Sequence, residues 1–396
     1  MRMTAVMNGS NGTVTATYHD TADRRLTRAD IRLRRRMENG VGLWEMTVAE
    51  RMLTVPGGPV DLPQELADVL VVPLRGEALV EVARLRTSGD VALLEGQRVL
   101  RRFDDERSAL TVKVREPRRP KKRAPAIDHV RAYLRTQLAE IERSDPIVRV
   151  DDNVDAVHDL RVAARRARTI LKVAKPALDA AWTDALVEDL RWLGAELGTL
   201  RDTDVLLEHL RAAGGISADT NPVVNRLERD RRTARRRAWA ALSSERYLTL
   251  LDQLHVAVDH PPVRDVDVRL DDIARREYRR LGRTVRALGT NPTDAMLHRA
   301  RIRAKRARYA AELAVPVVGP RAAKFAEEAS RFEDVVGRHQ DAVVAEERLR
   351  ALSGTTDAAF GAGILVERQR LRRARARAQV PRAWRRLRRR GRNAWR

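Results

Sequence analysis

The stretch of sequence that determines the fold occurs twice. Residues 157–168 read VHDLRVAARRAR, and residues 297–308 read LHRARIRAKRAR, at an offset of 140 residues. A second pair of phrases follows in the same order, LGTLRD at residues 197–202 and VGRHQD at residues 336–341, at an offset of 139. Two motifs that keep both their order and their spacing indicate an internal duplication.

Each copy of the first motif predicts a helix with two adjoining faces. At about 100° per residue, the histidine and the basic residues share one face, and alanine and leucine fill the next one. The charged faces carry His158, Arg161, Arg165, Arg168 and Lys172 in the first copy, and His298, Arg301, Lys305 and Arg308 in the second. Like charges three and four positions apart destabilise a helix. We therefore expect an anionic partner, and the repeated spacing favours a polymer over a single small anion.

Composition limits the class of protein. The 396 residues are 43% apolar, and this length predicts two or three folded units. Lysine and arginine outnumber the acids 78 to 55, and the net charge of +23 attracts nucleic acid, inorganic polyphosphate or an anionic membrane surface. The absence of cysteine excludes disulfides, thiol nucleophiles and cysteine metal sites, whereas oxygen-ligated Mg²⁺ or Mn²⁺ stays open. Without a signal-peptide core or a long apolar run, we expect a soluble cytoplasmic protein with no membrane span.

The N-terminal region differs in its pattern of apolar and polar residues from the rest of the chain. Residues 13–116 predict a small α+β domain, with strands at Thr13–Tyr18, Ile31–Arg34 and Val112–Val114 and a short helix at Gln64–Leu70. Residues 117–125 read PRRPKKRAP, which is typical of a basic, proline-rich linker. We place the domain boundary there.

Residues 126–380 have a helical pattern almost throughout, in repeats of about 126–262 and 263–380. The pattern predicts eight helices in two sets of four. These are Ile127–Arg143, Val154–Lys175, Leu178–Leu210 and Val223–Ser243, and then Leu270–Leu288, Thr293–Val315, Arg321–Leu352 and Ala358–Gln379. Pro381 is expected to break the last helix, so that residues 381–396 form a frayed basic tail.

The repeated signature His-x-x-Arg-x-x-x-(Arg/Lys)-Arg-x-Arg, followed in each half by Gly-x-x-(Arg/Gln)-Asp, resembles the CHAD family, the conserved histidine α-helical domain. The resemblance covers roughly residues 125–380. It implies a mainly α fold of duplicated four-helix bundles with pseudo-two-fold symmetry, whose facing basic helices bind inorganic polyphosphate. The expected polyphosphate-binding residues are the matching positions and Lys172, namely His158, Arg161, Arg165, Arg166, Arg168, Lys172, His298, Arg301, Lys305, Arg306 and Arg308.

Residues 17–48 and 83–87 resemble the CYTH family of triphosphate tunnel enzymes, for which fusion with CHAD is a known arrangement. The opening Glu-x-Glu-x-Lys strand of that family is missing, and no acidic residue precedes Asp20. The lysine expected just after Trp44 is absent, and residues 110–115 carry only Lys113 and Arg115 as charges. We expect a partial CYTH-like domain without the complete acidic floor that holds a metal.

The sequence therefore favours a non-catalytic polyphosphate-binding protein, associated with polyphosphate granules, with no catalytic residue, metal site or cofactor. One alternative is a triphosphatase or polyphosphatase in the CYTH-like region, with candidate carboxylates Glu38, Glu45, Glu50, Glu81 and Glu95. Another is non-specific nucleic-acid binding through Arg368–Arg396 and Arg226–Arg237. Asp202 and Asp341 are interpreted as caps or ion-pair partners in turns between helices.

Overall fold

The computed structural model describes residues 14–38, 41–58, 61–87, 91–95, 98–110, 119–151, 153–212, 221–352 and 356–395. The chain divides into two compact units, Met1–Pro117 with Glu142–Ala156, and Arg118–Ile141 with Val157–Arg396. Sequence analysis had assigned residues 142–156 to the helical repeat. They belong to the first unit because Ile147 and Val150 pack against its apolar core. The predicted strand at Val112–Val114 lies outside the described residues.

The described residues of the first unit form an antiparallel sheet of seven strands in the order β4-β3-β2-β1-β5-β6-β7. The strands are β1 Val14–Asp20, β2 Ile31–Glu38, β3 Val41–Val48, β4 Arg51–Pro56, β5 Val80–Thr87, β6 Val91–Glu95 and β7 Arg98–Phe103. Its helices are α1 Arg25–Arg28, α2 Gln64–Leu74 and α3 Glu106–Leu110. The predicted strands near the start of the chain and the short helix are present. The structure also contains strands β3 to β7, which the sequence did not predict. Strands are stabilised by hydrogen bonds to their neighbours in the sheet, and a weak local sequence pattern does not reveal these.

Apolar packing and a buried ionic cluster help to hold this unit together. Trp44 and Met46 on β3 pack with Leu66 and Leu70 of α2, and all four side chains are buried. Glu45, between the first two along the strand, is 3% exposed. Its carboxylate accepts hydrogen bonds from the Nε atoms of the neighbouring strand's arginines, Arg34 at 2.7 Å and Arg36 at 2.8 Å. A buried carboxylate needs such partners, so Glu45 has a structural role here.

The second unit is helical. Its helices are α4 Ala126–Val150, of which residues up to Ile141 belong here, α5 Val154–Ala174, α6 Ala180–Ala212, α7 Asn221–Leu242, α8 Glu245–Asp259, α9 Leu270–Arg286, α10 Asp294–Val318, α11 Pro320–Leu352 and α12 Thr356–Ala394. A 3₁₀ turn at Lys175–Ala177 follows α5. The predicted apolar faces of α5 and α10 are buried: Leu160, Ala164, Ala300 and Ala304 each have 0% exposure.

Helix α8 corrects the prediction of two matched sets of four. It is separate from α7, whereas at the offset of 139 the equivalent residues 384–394 lie in the continuous helix α12. Its own signals are local. The hydroxyl of Ser244 accepts the backbone N–H of Tyr247 as an N-cap, and Leu250, Leu251 and Leu254 are buried at helical spacing.

The predicted break at Pro381 and the frayed tail are wrong. Helix α12 continues through this proline to Ala394. Proline removes one hydrogen bond from a helix, but tertiary contacts on both sides offset that loss. Val380 and Leu387 are buried, and the Trp395 ring packs edge-to-face on Phe325 with centroids 5.6 Å apart.

Gly391 allows the end of α12 to lie close to α9. A Cβ atom at this position would collide with the ring of Tyr278 on α9. That ring also packs on Phe325, at a centroid distance of 5.5 Å. The absence of a side chain at Gly391 therefore permits the docking of α12.

We expect Gly391→Ala to lower the free energy of unfolding by about 1–3 kcal/mol, because the added methyl overpacks this contact. Gly363→Ala is the matched control in the same helix, since a Cβ there meets nothing within 4 Å. Alanine's higher helix propensity should make the control neutral or more stable by up to about 1 kcal/mol. Urea unfolding followed by circular dichroism measures both, and equal stability of the two variants would contradict the packing role of Gly391.

Candidate anion-binding groove

A cavity of about 900 Å³, here called the central groove, lies between α5, α6, α10 and α11. Helix α5 lines it with His158, Arg161, Arg165, Arg168 and Lys172, and α10 with His298, Arg301, Lys305 and Arg306. Helix α6 adds Arg191 and Arg201, and α11 adds Arg348. The charged faces that the sequence predicts thus meet at one cavity. Cations of the two helices lie close to each other, because the field of Arg165 on α5 acts on Lys305 of α10.

Arg166 and Arg308 lie outside the residues that line the central groove. The Arg166 guanidinium lies over the ring of Tyr309 at 5.7 Å, and that of Arg308 lies over the same ring at 4.6 Å. Arg308 is also 3.1 Å from the carboxylate of Glu333. Glu333 occupies the position in the second repeat that Gly194 occupies in the first, at the offset of 139. The two repeats therefore differ in an acid that binds one of the predicted cations.

Arg161 and Arg301 make equivalent contacts in the two repeats. Arg161 donates to Asp202 on α6 at 2.9 Å, and Arg301 lies 3.9 Å from Asp341 on α11. The interpretation of both aspartates as ion-pair partners is confirmed. Their placement in turns is wrong, because they lie within α6 and α11, whose apolar faces continue past them.

The glycines of the repeated phrases make room for these arginines. A Cβ on Gly198 would lie 3.5 Å from the Arg161 guanidinium, and one on Gly337 would lie 3.6 Å from that of Arg301. Alanine would only touch the guanidinium at these distances, whereas a larger side chain would occupy its place. Each guanidinium thus lies against the backbone of the facing helix, at a position that has no side chain.

Several lining residues were not among the predicted site residues. His298 Nδ1 lies 3.0 Å from the amide oxygen of Gln340, which also lines the groove. Gln340 and Arg201 occupy equivalent positions in the second repeated phrase. The repeated phrase could therefore have identified both as site residues. Arg191 shares a face of α6 with Asp202 at helical spacing, and that periodicity could have identified it.

Five cations of the central groove have no carboxylate partner in the part of the chain that the structure describes. Among the described residues, no carboxylate lies within ion-pair distance of Arg165, Arg168, Lys172, Lys305 or Arg306. Burial, followed by the fields of Arg165 and Arg191, lowers the pKa of Arg168. Burial and neighbouring arginines also lower the pKa of Lys172 and of Arg306. Lowered pKa values mean that the positive forms are held at a cost in free energy.

Lys305 has the strongest perturbation in the groove. Burial, then Arg165 and Arg301, lowers the pKa of its ammonium group to about 7. Glu333 of α11 is the acid whose field opposes this shift, and burial raises the pKa of Glu333 in turn. The ammonium group of Lys305 is thus destabilised by burial and by the arginines beside it.

We expect Lys305→Met to raise the free energy of unfolding by roughly 1 kcal/mol in a buffer of weakly binding anions. A buried charge among like charges costs more than an apolar side chain of similar volume. Lys324→Met on α11 is the control, because Lys324 is exposed and should change stability by less than about 0.5 kcal/mol. Denaturant unfolding at pH 7 provides the measurement, and a destabilised Lys305→Met protein would show that the ammonium group is not under strain.

Within the described ranges, no three histidine, aspartate or glutamate side chains converge in a way that could hold a metal ion. The helices of the described residues also include none with the length and apolar character of a membrane span.

Comparison with known proteins identifies the family to which this chain belongs. The CHAD domain family model matches residues 132–350, which is more than half of the chain, so the protein belongs to the CHAD family. Two uncharacterized Mycobacterium tuberculosis proteins, Rv2226 of strain H37Rv and MT2285 of strain CDC 1551, are each 29% identical over 285 residues. The alignment covers 66% of this chain and 54% of theirs, so the chain spans about half the length of these curated relatives.

Two solved structures have a similar fold. PptA from Streptomyces chartreusis superposes with a TM-score of 0.54 at 25% identity, covering 66% of this chain and 100% of that one. The CHAD domain from the plant Ricinus communis gives a TM-score of 0.56 at 25% identity, covering 68% of this chain and 94% of that one. Both matches support the helical architecture of the CHAD family.

Proposed function

We propose that this protein binds inorganic polyphosphate in the central groove and that this binding is non-catalytic. The observation that carries the proposal is the set of five groove cations without a carboxylate partner among the described residues, Arg165, Arg168, Lys172, Lys305 and Arg306. An anionic ligand would supply the missing charge. The CHAD family is associated with polyphosphate binding, which supports the same choice of ligand.

The geometry of α5 suits a chain of phosphates. His158, Arg161, Arg165, Arg168 and Lys172 advance along the helix by about 4.5 to 6 Å at each step. Polyphosphate carries about one charge per phosphate, at a spacing comparable to that of a nucleic-acid strand. Arginine can donate two parallel hydrogen bonds to phosphate oxygens, and lysine contributes a point charge. Successive cations would thus meet successive or alternate phosphates, in a pseudo-two-fold groove built from the two repeats.

For the first unit we propose a reduced CYTH-like domain that accompanies this site. The antiparallel sheet agrees with that proposal, and the Glu45 carboxylate is already occupied by Arg34 and Arg36. A triphosphatase would need free carboxylates for its metal, and a candidate that accepts two arginines is not free. The polyphosphate site would then bring the whole protein to cytoplasmic polyphosphate granules.

The first test is polyphosphate binding by a groove variant with Arg165, Arg168, Lys305 and Arg306 replaced by glutamine. We expect the slope of log affinity against log salt to fall by about 3, because about 0.7 counterions are released per contact with a single strand. The control replaces the exposed Arg229, Arg232, Arg236 and Arg237 of α7 by glutamine and thus loses the same charge. If both variants bind polyphosphate equally well, binding follows net charge and the central groove is not the site.

We also expect polyphosphate affinity to fall about tenfold as the pH rises from about 6 to about 8.5. Protonated Lys305, with a pKa lowered to about 7, attracts phosphate, so binding takes up a proton and weakens above that pKa. The charged groups around it are Arg165 on α5, Arg301 and Arg308 on α10, and Glu333 on α11. Deprotonation of Glu333 adds a negative charge and acts in the same direction.

The control for this pH dependence is Lys305→Arg, because arginine stays charged throughout the range. Combining it with Glu333→Gln removes the second titrating group. Binding isotherms are measured across the pH range. The affinity should depend less on pH in the single variant than in the wild type, and less still in the double variant. An unchanged pH profile in both would assign the effect to other groups.

A further inference from the structure

A second basic cavity of about 900 Å³ lies between α9 and the C-terminal part of α12. We call it the α9–α12 groove and define it by the arginines Arg276, Arg279, Arg283, Arg286, Arg388 and Arg392. The α12 side of this groove lies beyond residue 350, where the match to the CHAD family model ends. The groove therefore extends beyond the residues that the family model matches.

The arginines of the α9–α12 groove are exposed and lack acidic partners. Among the described residues, none of the six has a carboxylate within ion-pair distance. The acid that lines the groove, Asp272, already pairs with Arg275 at 3.4 Å. Uncompensated charge in a concave surface raises the local concentration of anions.

The spacing along α9 fits an extended anion. Arg276, Arg279, Arg283 and Arg286 follow one another at three, four and three residues, which places them on one face. At 1.5 Å per residue they span about 15 Å of the helix. Each guanidinium can donate two hydrogen bonds to one phosphate group.

The aromatic rings in the groove favour recognition of phosphate over recognition of bases. Tyr278 packs edge-to-face on Phe325, and its hydroxyl donates to the backbone carbonyl of Arg388 at 3.2 Å. Trp384 packs on Phe332 at a centroid distance of 6.0 Å. Single-stranded nucleic-acid sites use aromatic faces that are open to bases. Both rings here are committed to internal contacts.

Helix α9, which lines the α9–α12 groove, also lies close to Arg306 of the central groove. Burial and the field of Arg303 lower the pKa of Arg306, and Glu277 and Arg280 on α9 act on it in opposite directions. Arg280 follows Arg279 in sequence and pairs with Glu277.

We propose that the α9–α12 groove binds the part of a long polyphosphate chain that extends beyond the central groove. This inference rests on the proposed function, because it assigns the same ligand to both grooves. The central groove holds the first phosphates, and the second groove lengthens the contact. Short chains therefore depend on the central groove alone, whereas long chains depend on both.

The test compares a short and a long polyphosphate. The charged face of α5 spans about 21 Å, so a chain of about eight phosphates serves as the short probe, and one of about sixty as the long probe. The second-groove variant replaces Arg276, Arg279, Arg283 and Arg388 by glutamine, and the α7 variant with four glutamines is the charge-matched control. Dissociation constants are measured for the full chain at several salt concentrations, after thermal unfolding has confirmed that each variant is folded.

We expect the second-groove variant to bind the long probe at least about tenfold more weakly than the wild type, with a salt slope reduced by about 3. Its affinity for the short probe should stay within about twofold, and the α7 control should match the wild type for both probes. Unchanged long-probe affinity would overturn this inference alone. The groove variant of the proposed function, measured with the short probe, tests that function separately.

Duplex DNA of equal total charge completes the experiment. If the second-groove variant loses binding to DNA but keeps its affinity for the long polyphosphate, the α9–α12 groove is a nucleic-acid site and the inference is wrong. If the second-groove variant binds DNA as well as the wild type does while its long-probe binding falls, the assignment to polyphosphate stands.

Discussion

The crowding of cations in the central groove depends on the apolar faces that adjoin them. Ala164 and Ala167 on α5, and Ala304 and Ala307 on α10, are at most 1% exposed. Burial of these small side chains stabilises the packing of both helices, at about 25 cal/mol per Å² of apolar surface. The charged faces lie on the same helices, so they cannot move apart unless the apolar faces are exposed. Apolar packing of α5 and α10 therefore holds the groove cations close together although they repel one another.

The two copies of the repeated sequence motif lie in surroundings that differ in charge. Arg168 in the first half lines the groove, whereas its equivalent Arg308 is held by Glu333 and lies over Tyr309. Lys172 likewise corresponds to Glu312, at the offset of 140. The first half therefore contributes more positive charge to the groove than the second. Similar backbones can carry different electrostatic fields, because one acid on a neighbouring helix redirects a long side chain.

Sequence reasoning succeeded where a pattern was local and repeated, and failed where distant contacts decided. The two helices with charged faces follow from periodicity, and nearly all of the predicted cations line one cavity. The position of Arg308 was not predictable from its own helix, because Glu333 lies on another one. Helix α8 begins as a separate helix at its Ser244 cap, whereas α12 passes Pro381 because the Trp395 ring packs against Phe325. The strands of the first unit depend on pairing, which a single sequence indicates weakly.

Asp202 and Asp341 give the central groove a resident counter-ion at Arg161 and at Arg301. These two arginines keep a negative partner of their own, so the positive charge that remains for a ligand comes from Arg165, Arg168, Lys172, Lys305 and Arg306. A singly charged anion compensates one of these cations, whereas an anion with several charges compensates several at once. The two aspartates thus set the number of open positions along the groove, as fixed counter-ions do in an ion exchanger.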